Sequence, residues 1–143
     1  MRLLALDFGG SSVKHAVVNE NAVILSEGKV PAPLESQEAF LNTVVKLYEE
    51  NLPIDGIGIS MPGYIDPATG SIAGAGSYMK MRDTNLYELL KDRVPVRVAV
   101  ENDGKSAALA EVWNGALTGV NDGVVLVIGT GYAGGILHDG KIL

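Results

Sequence analysis

Both ends of this chain carry the same arrangement: an apolar run, a glycine turn and a second apolar run. Residues 3–18 are interrupted by Gly9-Gly10-Ser11-Ser12, and residues 124–137 by the glycines of 129–135. Short apolar runs bounded by glycine read as buried strands joined by tight turns. The two segments echo one another without forming an exact repeat. Strand-like and helix-like stretches alternate between them. That pattern restricts the chain to the α/β class, with a mixed sheet.

In more detail, strands are expected over 2–8, 13–18 and 22–30, with a turn at Asn19-Glu20-Asn21. Short connections make these three an antiparallel meander, which Pro31 and Pro33 end. Ser36 is placed to cap a helix running to about 51, because Phe40, Leu41, Val44, Val45 and Tyr48 share one helical face. A strand over 54–61 leads to a turn-rich stretch with Pro62-Gly63, Asp66-Pro67 and Thr69-Gly70. A helix over 84–93 and a strand over 95–100 follow. Asn102 or Asp103 caps the next helix, which runs to about 114 with Trp113 read as core, and Gly115 and Gly119 stop it. A strand over 124–128, a glycine turn over 129–135 and a return strand starting at Ile136 close the order βββαβαβαββ. The last hairpin opens a new meander. The expected organisation is a domain over 1–119 and the start of a second, similar domain over 120–143.

Composition removes several functional classes. Cysteine is absent, so the chain contains neither a disulfide nor a cysteine zinc site. Asp and Glu outnumber Lys and Arg by 17 to 11, and the basic residues are scattered. Without a basic stripe, neither nucleic acid nor an anionic membrane is an expected partner. No apolar run approaches the ~20 residues of a membrane helix, and the apolar start stops at Asp7. A soluble cytoplasmic protein is expected. The two histidines, His15 and His138, are far apart and without partners at metal spacing, so both read as structural or solvated.

Three segments could carry chemistry. In Asp7-Phe8-Gly9-Gly10-Ser11-Ser12-Val13-Lys14, two glycines at a hairpin tip can expose amides to phosphate oxygens. Ser11 adds a hydroxyl and Lys14 a charge, and Asp7 can hold Mg2+, directly or through water. The segment can equally be an ordinary Gly-Gly hairpin. In Glu101-Asn102-Asp103-Gly104, a strand ends and a helix opens, the place where α/β sheets bind ligands. Asn102 and Asp103 can grip sugar hydroxyls, and Asp103 can take a hydroxyl proton during phosphoryl transfer. Read locally, Asp103 can also be no more than a helix cap. Gly129-Thr130-Gly131 is a second phosphate cradle by the same argument. Walker A and dinucleotide glycine patterns are both missing.

Taken in order, these segments resemble the ROK family of sugar kinases, within the actin-like (ribonuclease H-like) superfamily. Asp7, Gly9, Gly10 and Lys14 match the family's first phosphate motif, with Ser11 standing for Thr. Pro62-Gly63-Tyr64-Ile65-Asp66 matches a second segment, and Glu101-Asn102-Asp103 followed by Glu111 matches the catalytic motif. Gly129-Thr130-Gly131, Gly134-Gly135 and Asp139-Gly140-Lys141 match the last. Tyr132, Ala133 and Lys105 depart from the pattern, and the family's sugar loop is not recognisable over 77–86.

The resemblance implies an actin-like fold and ATP-dependent phosphorylation of a hexose or hexose derivative. Gly9, Gly10, Ser11, Lys14, Gly129, Thr130 and Gly131 would hold the ATP phosphates. Asp7 would hold Mg2+, Asn102 and Asp103 the sugar, and Asp103 would be the catalytic base. Members are about twice this length. Any structural zinc would belong to the other half, and the chain alone is expected to have little activity. A homodimer is the family-like expectation. The alternative is a sugar-binding regulator without catalysis. The strand at Arg2, with no preceding helix-turn-helix, and the intact Asp103 weigh toward the kinase. An actin-like assembly domain fits the Glu101-Asn102-Asp103 segment less well.

Overall fold

Along the first strand, Leu4, Leu6 and Phe8 are buried while Ala5 and Asp7 between them are exposed. Alternation of this kind gives a strand one core face and one open face, and puts Asp7 on the open one. The structure, a computed structural model, describes residues 1–129 and 131–143; Thr130 lies outside the described residues. The elements in chain order are β1 (Leu3–Phe8), β2 (Ser12–Val18), β3 (Ile24–Pro31), α1 (Gln37–Glu50), β4 (Gly56–Met61), β5 (Tyr64–Asp66), β6 (Ser71–Gly74), β7 (Thr84–Asn85), α2 (Leu86–Leu90), β8 (Arg97–Asn102), α3 (Asp103–Asn114), β9 (Gly123–Ile128), β10 (Tyr132–His138) and β11 (Lys141–Ile142). A 3-10 turn, Met79–Met81, lies between β6 and β7. The described chain forms two compact units, Met1–Glu101 and Asn102–Leu143.

In the first unit, β1, β2 and β3 form the expected antiparallel meander, and β1 pairs in parallel with β4 on its other side. The full order is β3-β2-β1-β4-β8, a mixed sheet. Ser36 caps α1 by accepting the Ala39 N–H at 3.0 Å, as its place in the sequence predicts. Phe40, Leu41, Val44, Leu47 and Tyr48 make the buried face of α1. The Phe8 and Phe40 rings stack at 4.1 Å, and Tyr78 meets both edge-on at 5.6 Å. Each such fully buried side chain contributes about 1.5–3 kcal/mol relative to exposure.

The turn-rich stretch after β4 is itself a small sheet, ordered β5-β6-β7. Its strands, of two to four residues, are too short to show a sequence period. Asp66 holds the β5–β6 turn, with Oδ1 accepting the Ala68 N–H and Oδ2 the Thr69 hydroxyl. Those bonds, the Thr69 hydroxyl first, keep its carboxyl below the usual range. The helix expected over 84–93 begins later and is shorter. Thr84 and Asn85 pair with β6, and Asn85 then caps α2 by accepting the Glu88 N–H. Met81 is buried, whereas Met79 is exposed.

In the second unit, β9, β10 and β11 form an antiparallel meander beside α3. The return strand starts at Tyr132 and not at Ile136, so Gly134 and Gly135 are strand residues and not turn residues. Their lack of side chains serves packing. A Cβ at Gly104 of α3 would stand 2.3 Å from the Gly134 nitrogen, and one at Gly135 would stand 2.5 Å from the Ala108 Cβ. Trp113, expected in the core, is 54% exposed. Among the described residues, no helix is long and apolar enough to cross a membrane.

Candidate active site

The β1–β2 hairpin tip is closed by its own backbone. The Gly9 N–H points to the carbonyls of Asp7 (3.2 Å) and Ser12 (3.0 Å), and the Ser11 carbonyl accepts the Ala32 N–H at 3.2 Å. Gly10 and Ser11 stay exposed at the tip. A Cβ at Gly10 would come within 3.2 Å of the Ser77 hydroxyl, so glycine lets Ser77 of the loop after β6 approach the tip closely. Below it, Tyr78 donates its hydroxyl to the Gly9 carbonyl at 2.7 Å. Burial, then the Asp7 charge, push the Tyr78 phenol up to about 12, so it remains a donor at neutral pH.

Asp7 and Lys14 are cross-strand partners, which places them on one face of the sheet, and both are exposed. The parallel register sets Asp7 opposite Ser60, whose hydroxyl donates to Asp7 Oδ1 at 3.1 Å. A carboxylate and a hydroxyl at the ends of adjacent parallel strands form a hard oxygen donor set that fits Mg2+ or its waters. Backbone amides and the Ser11 hydroxyl at an open tip suit phosphate oxygens. Asp7, Gly9, Gly10, Ser11 and Lys14 thus converge on one edge of the first unit. Ser60, Ser77 and Tyr78 join them, although nothing local in the sequence gives these three a role. Only the pairing of β1 with β4 could have signalled Ser60.

In the second unit, Asn102 is the cap of α3. Its Oδ1 accepts the N–H groups of Gly104 (2.9 Å) and Lys105 (3.2 Å). Asp103 is the first helical residue, and its Oδ1 accepts the Gly104 N–H at 2.8 Å. Both side chains are half-buried. Asn102 and Asp103 thus share the Gly104 N–H, Asn102 alone takes that of Lys105, and the Asp103 carboxylate is oriented at the helix start. At the β9–β10 tip the Gly129 N–H bonds the Gly131 carbonyl at 2.9 Å. Thr130, expected between them as a phosphate ligand, is outside the described residues. His138 does have a partner: its Nδ1 lies 2.7 Å from Asp122 Oδ1, and Asp139 is nearby, with all three exposed.

The model of the ROK family matches residues 3–143. The chain is 34% identical over its full length to the β-glucoside kinase of Listeria monocytogenes serovar 1/2a, covering 49% of that protein. It is 32% identical over 95% of its length to the N-acetyl-D-glucosamine kinase of Pasteurella multocida, covering 46%. A ROK family glucokinase from Streptomyces griseus, solved with glucose and AMPPNP, superposes with a TM-score of 0.88 at 30% identity, covering all of this chain and 46% of that one. The chain spans about half the length of the curated relatives it matches. Its mixed α/β architecture is the actin-like one of the ROK sugar kinases. With a match running from the first strand to the last residue, the chain belongs to the ROK family.

Proposed function

We propose that the protein carrying this chain transfers the γ-phosphoryl group of ATP to a hydroxyl of a hexose or hexose derivative. The observation that carries the reading is the start of α3, where Asn102 Oδ1 accepts the Gly104 and Lys105 N–H groups, so that the half-buried Asp103 carboxylate, which shares the Gly104 N–H, is not the only acceptor of the cap. Gly10, Ser11 and Lys14 bind phosphate oxygens, with Gly9 shaping the tip, and Gly129, Thr130 and Gly131 form the second cradle. Asp7, steadied by Ser60, would hold Mg2+, directly or through water. That ion, when bound, offsets the negative charge of the phosphates. Asn102 and Asp103 bind the sugar, and Asp103 accepts the proton of the attacking hydroxyl as the phosphoryl group transfers. In a loose transition state this proton moves late, so orienting the hydroxyl is the larger part of the task.

The proposed division runs 1–119 for the first domain and 120–143 for the start of a second. Compactness groups α3 with the hairpin, so the division is one of role and not of packing. In its favour, β9–β11 repeats the antiparallel meander of β1–β3. Val124, Leu126, Ile128, Tyr132 and Ile136 are also exposed along β9 and β10, as on a sheet face with further chain to pack against it. ADP release from Mg-ATP, measured on the full-length protein across hexoses and amino sugars, tests the reading. Sugar-dependent ADP supports it. Saturable sugar binding without ADP would leave a sensor on the same fold.

A further inference from the structure

The Tyr78 hydrogen bond decides more than packing. The peptide joining Gly9 to Gly10 is trans, so its carbonyl and its N–H point in opposite directions. The carbonyl end is held inward by Tyr78, which is 2% exposed, while Gly10 is exposed. The Gly10 N–H is therefore directed outward, to the side from which an anion approaches. A flip of this peptide would reverse the arrangement and present a carbonyl oxygen to the phosphate. Glycine on both sides makes such a flip cheap, because neither residue has a Cβ to oppose it.

We infer that Tyr78 is a positioning residue that locks the Gly9–Gly10 peptide in its phosphate-accepting orientation. This rests on the proposed kinase reading of the same hairpin. Tyr78 belongs to the loop after β6, not to the hairpin, and its ring packs edge-on against the stacked Phe8 and Phe40 rings. The loop packs closely against Pro62: Gly76 has a φ of +49°, and a Cβ there would meet Pro62 Cβ at 2.8 Å. The hydroxyl thus reaches the tip from a separate, packed segment. It supplies the one thing a Gly-Gly tip lacks, a preference between two peptide orientations.

The test compares Tyr78→Phe with the wild type in the full-length protein. Phe keeps the ring and its packing and removes the donor. Val44→Ala, buried on α1 in the same core and making no hydrogen bond to the tip through its side chain, serves as a control for lost stability. Mg-ATP affinity is expected to fall about tenfold in Tyr78→Phe, the size of one lost hydrogen bond that leaves a part-buried carbonyl unpaired. KM for sugar should stay within about twofold, and Val44→Ala should keep wild-type Mg-ATP affinity. In wild-type protein, the Gly10 amide resonance should be among those that shift most on adding Mg-ATP. Unchanged Mg-ATP affinity in Tyr78→Phe, a parallel loss in Val44→Ala, or a silent Gly10 amide would each overturn the inference. A wild type that binds no Mg-ATP would sink the kinase reading and this inference together, whereas the first three outcomes leave the kinase reading standing.

Discussion

Ser60 donates its hydroxyl to Asp7 Oδ1 at 3.1 Å, from the position directly opposite it on the neighbouring parallel strand. The bond fixes one rotamer of an exposed carboxylate that is otherwise free to swing. Ser60→Ala should raise the KM for Mg-ATP and the Mg2+ needed for half-activity several-fold, with sugar KM unchanged. Stability should change by less than about 1 kcal/mol, since the site is a surface one. Steady-state kinetics with Mg2+ titration and a melting curve check both parts.

Asp103→Asn should lower kcat by about 10²–10⁴-fold, the usual worth of a positioned general base. Sugar affinity should change little, because Asn keeps hydrogen-bonding capacity. The fold should be unaffected, since Asn102 caps α3 in either case. Asn102→Ala should behave differently, losing about 1 kcal/mol of stability with the cap. Denaturant unfolding and sugar-dependent ADP release on the two variants separate the roles.

Gly104→Ala would force a methyl group to 2.3 Å from the Gly134 nitrogen, and backbone cannot rotate aside as a side chain can. Overpacking of this kind costs about 1–3 kcal/mol. The loss should appear as faster hydrogen exchange along β10 and α3, with β1 and β4 protected as before.

Tyr78 gives a pH signature. Its phenol is raised from 10.0 to about 12 in the folded state, by burial first and by Asp7 second. Between those values the folded protein holds a proton that the unfolded chain has lost. The contribution is therefore full below about pH 10 and is lost as pH rises through about 12. Tyr78→Phe should flatten that part of the stability curve, and phenolate absorbance should show one tyrosine titrating late.

The meander, α1 with its Ser36 cap, and the strand–helix alternation were legible because each leaves a local mark: an apolar run, a period or a cap. What was hidden depends on tertiary contact. Gly134 and Gly135 read as a turn because nothing local distinguishes a turn glycine from one that lies under a helix. Thr84 and Asn85 read as helix because their pairing with β6 is invisible in the sequence. Trp113 read as core because its spacing is helical, yet its face of α3 is open. His138 read as partnerless, yet Asp122 lies sixteen residues back, across the β9–β10 hairpin. At the site, the sequence named residues that sit on motifs and missed Ser60 and Tyr78, whose partners are 53 and 69 residues away.

The contact between Gly104 and Gly134 also has a mechanical meaning. Side chains between two elements can change rotamer and absorb a small displacement, whereas two bare backbones in contact cannot. The helix start bearing Asp103 and the strand leading out of the Gly129 to Gly131 tip are joined without slack. A movement of that strand of even a fraction of an ångström would be handed on to the backbone that aims the carboxylate.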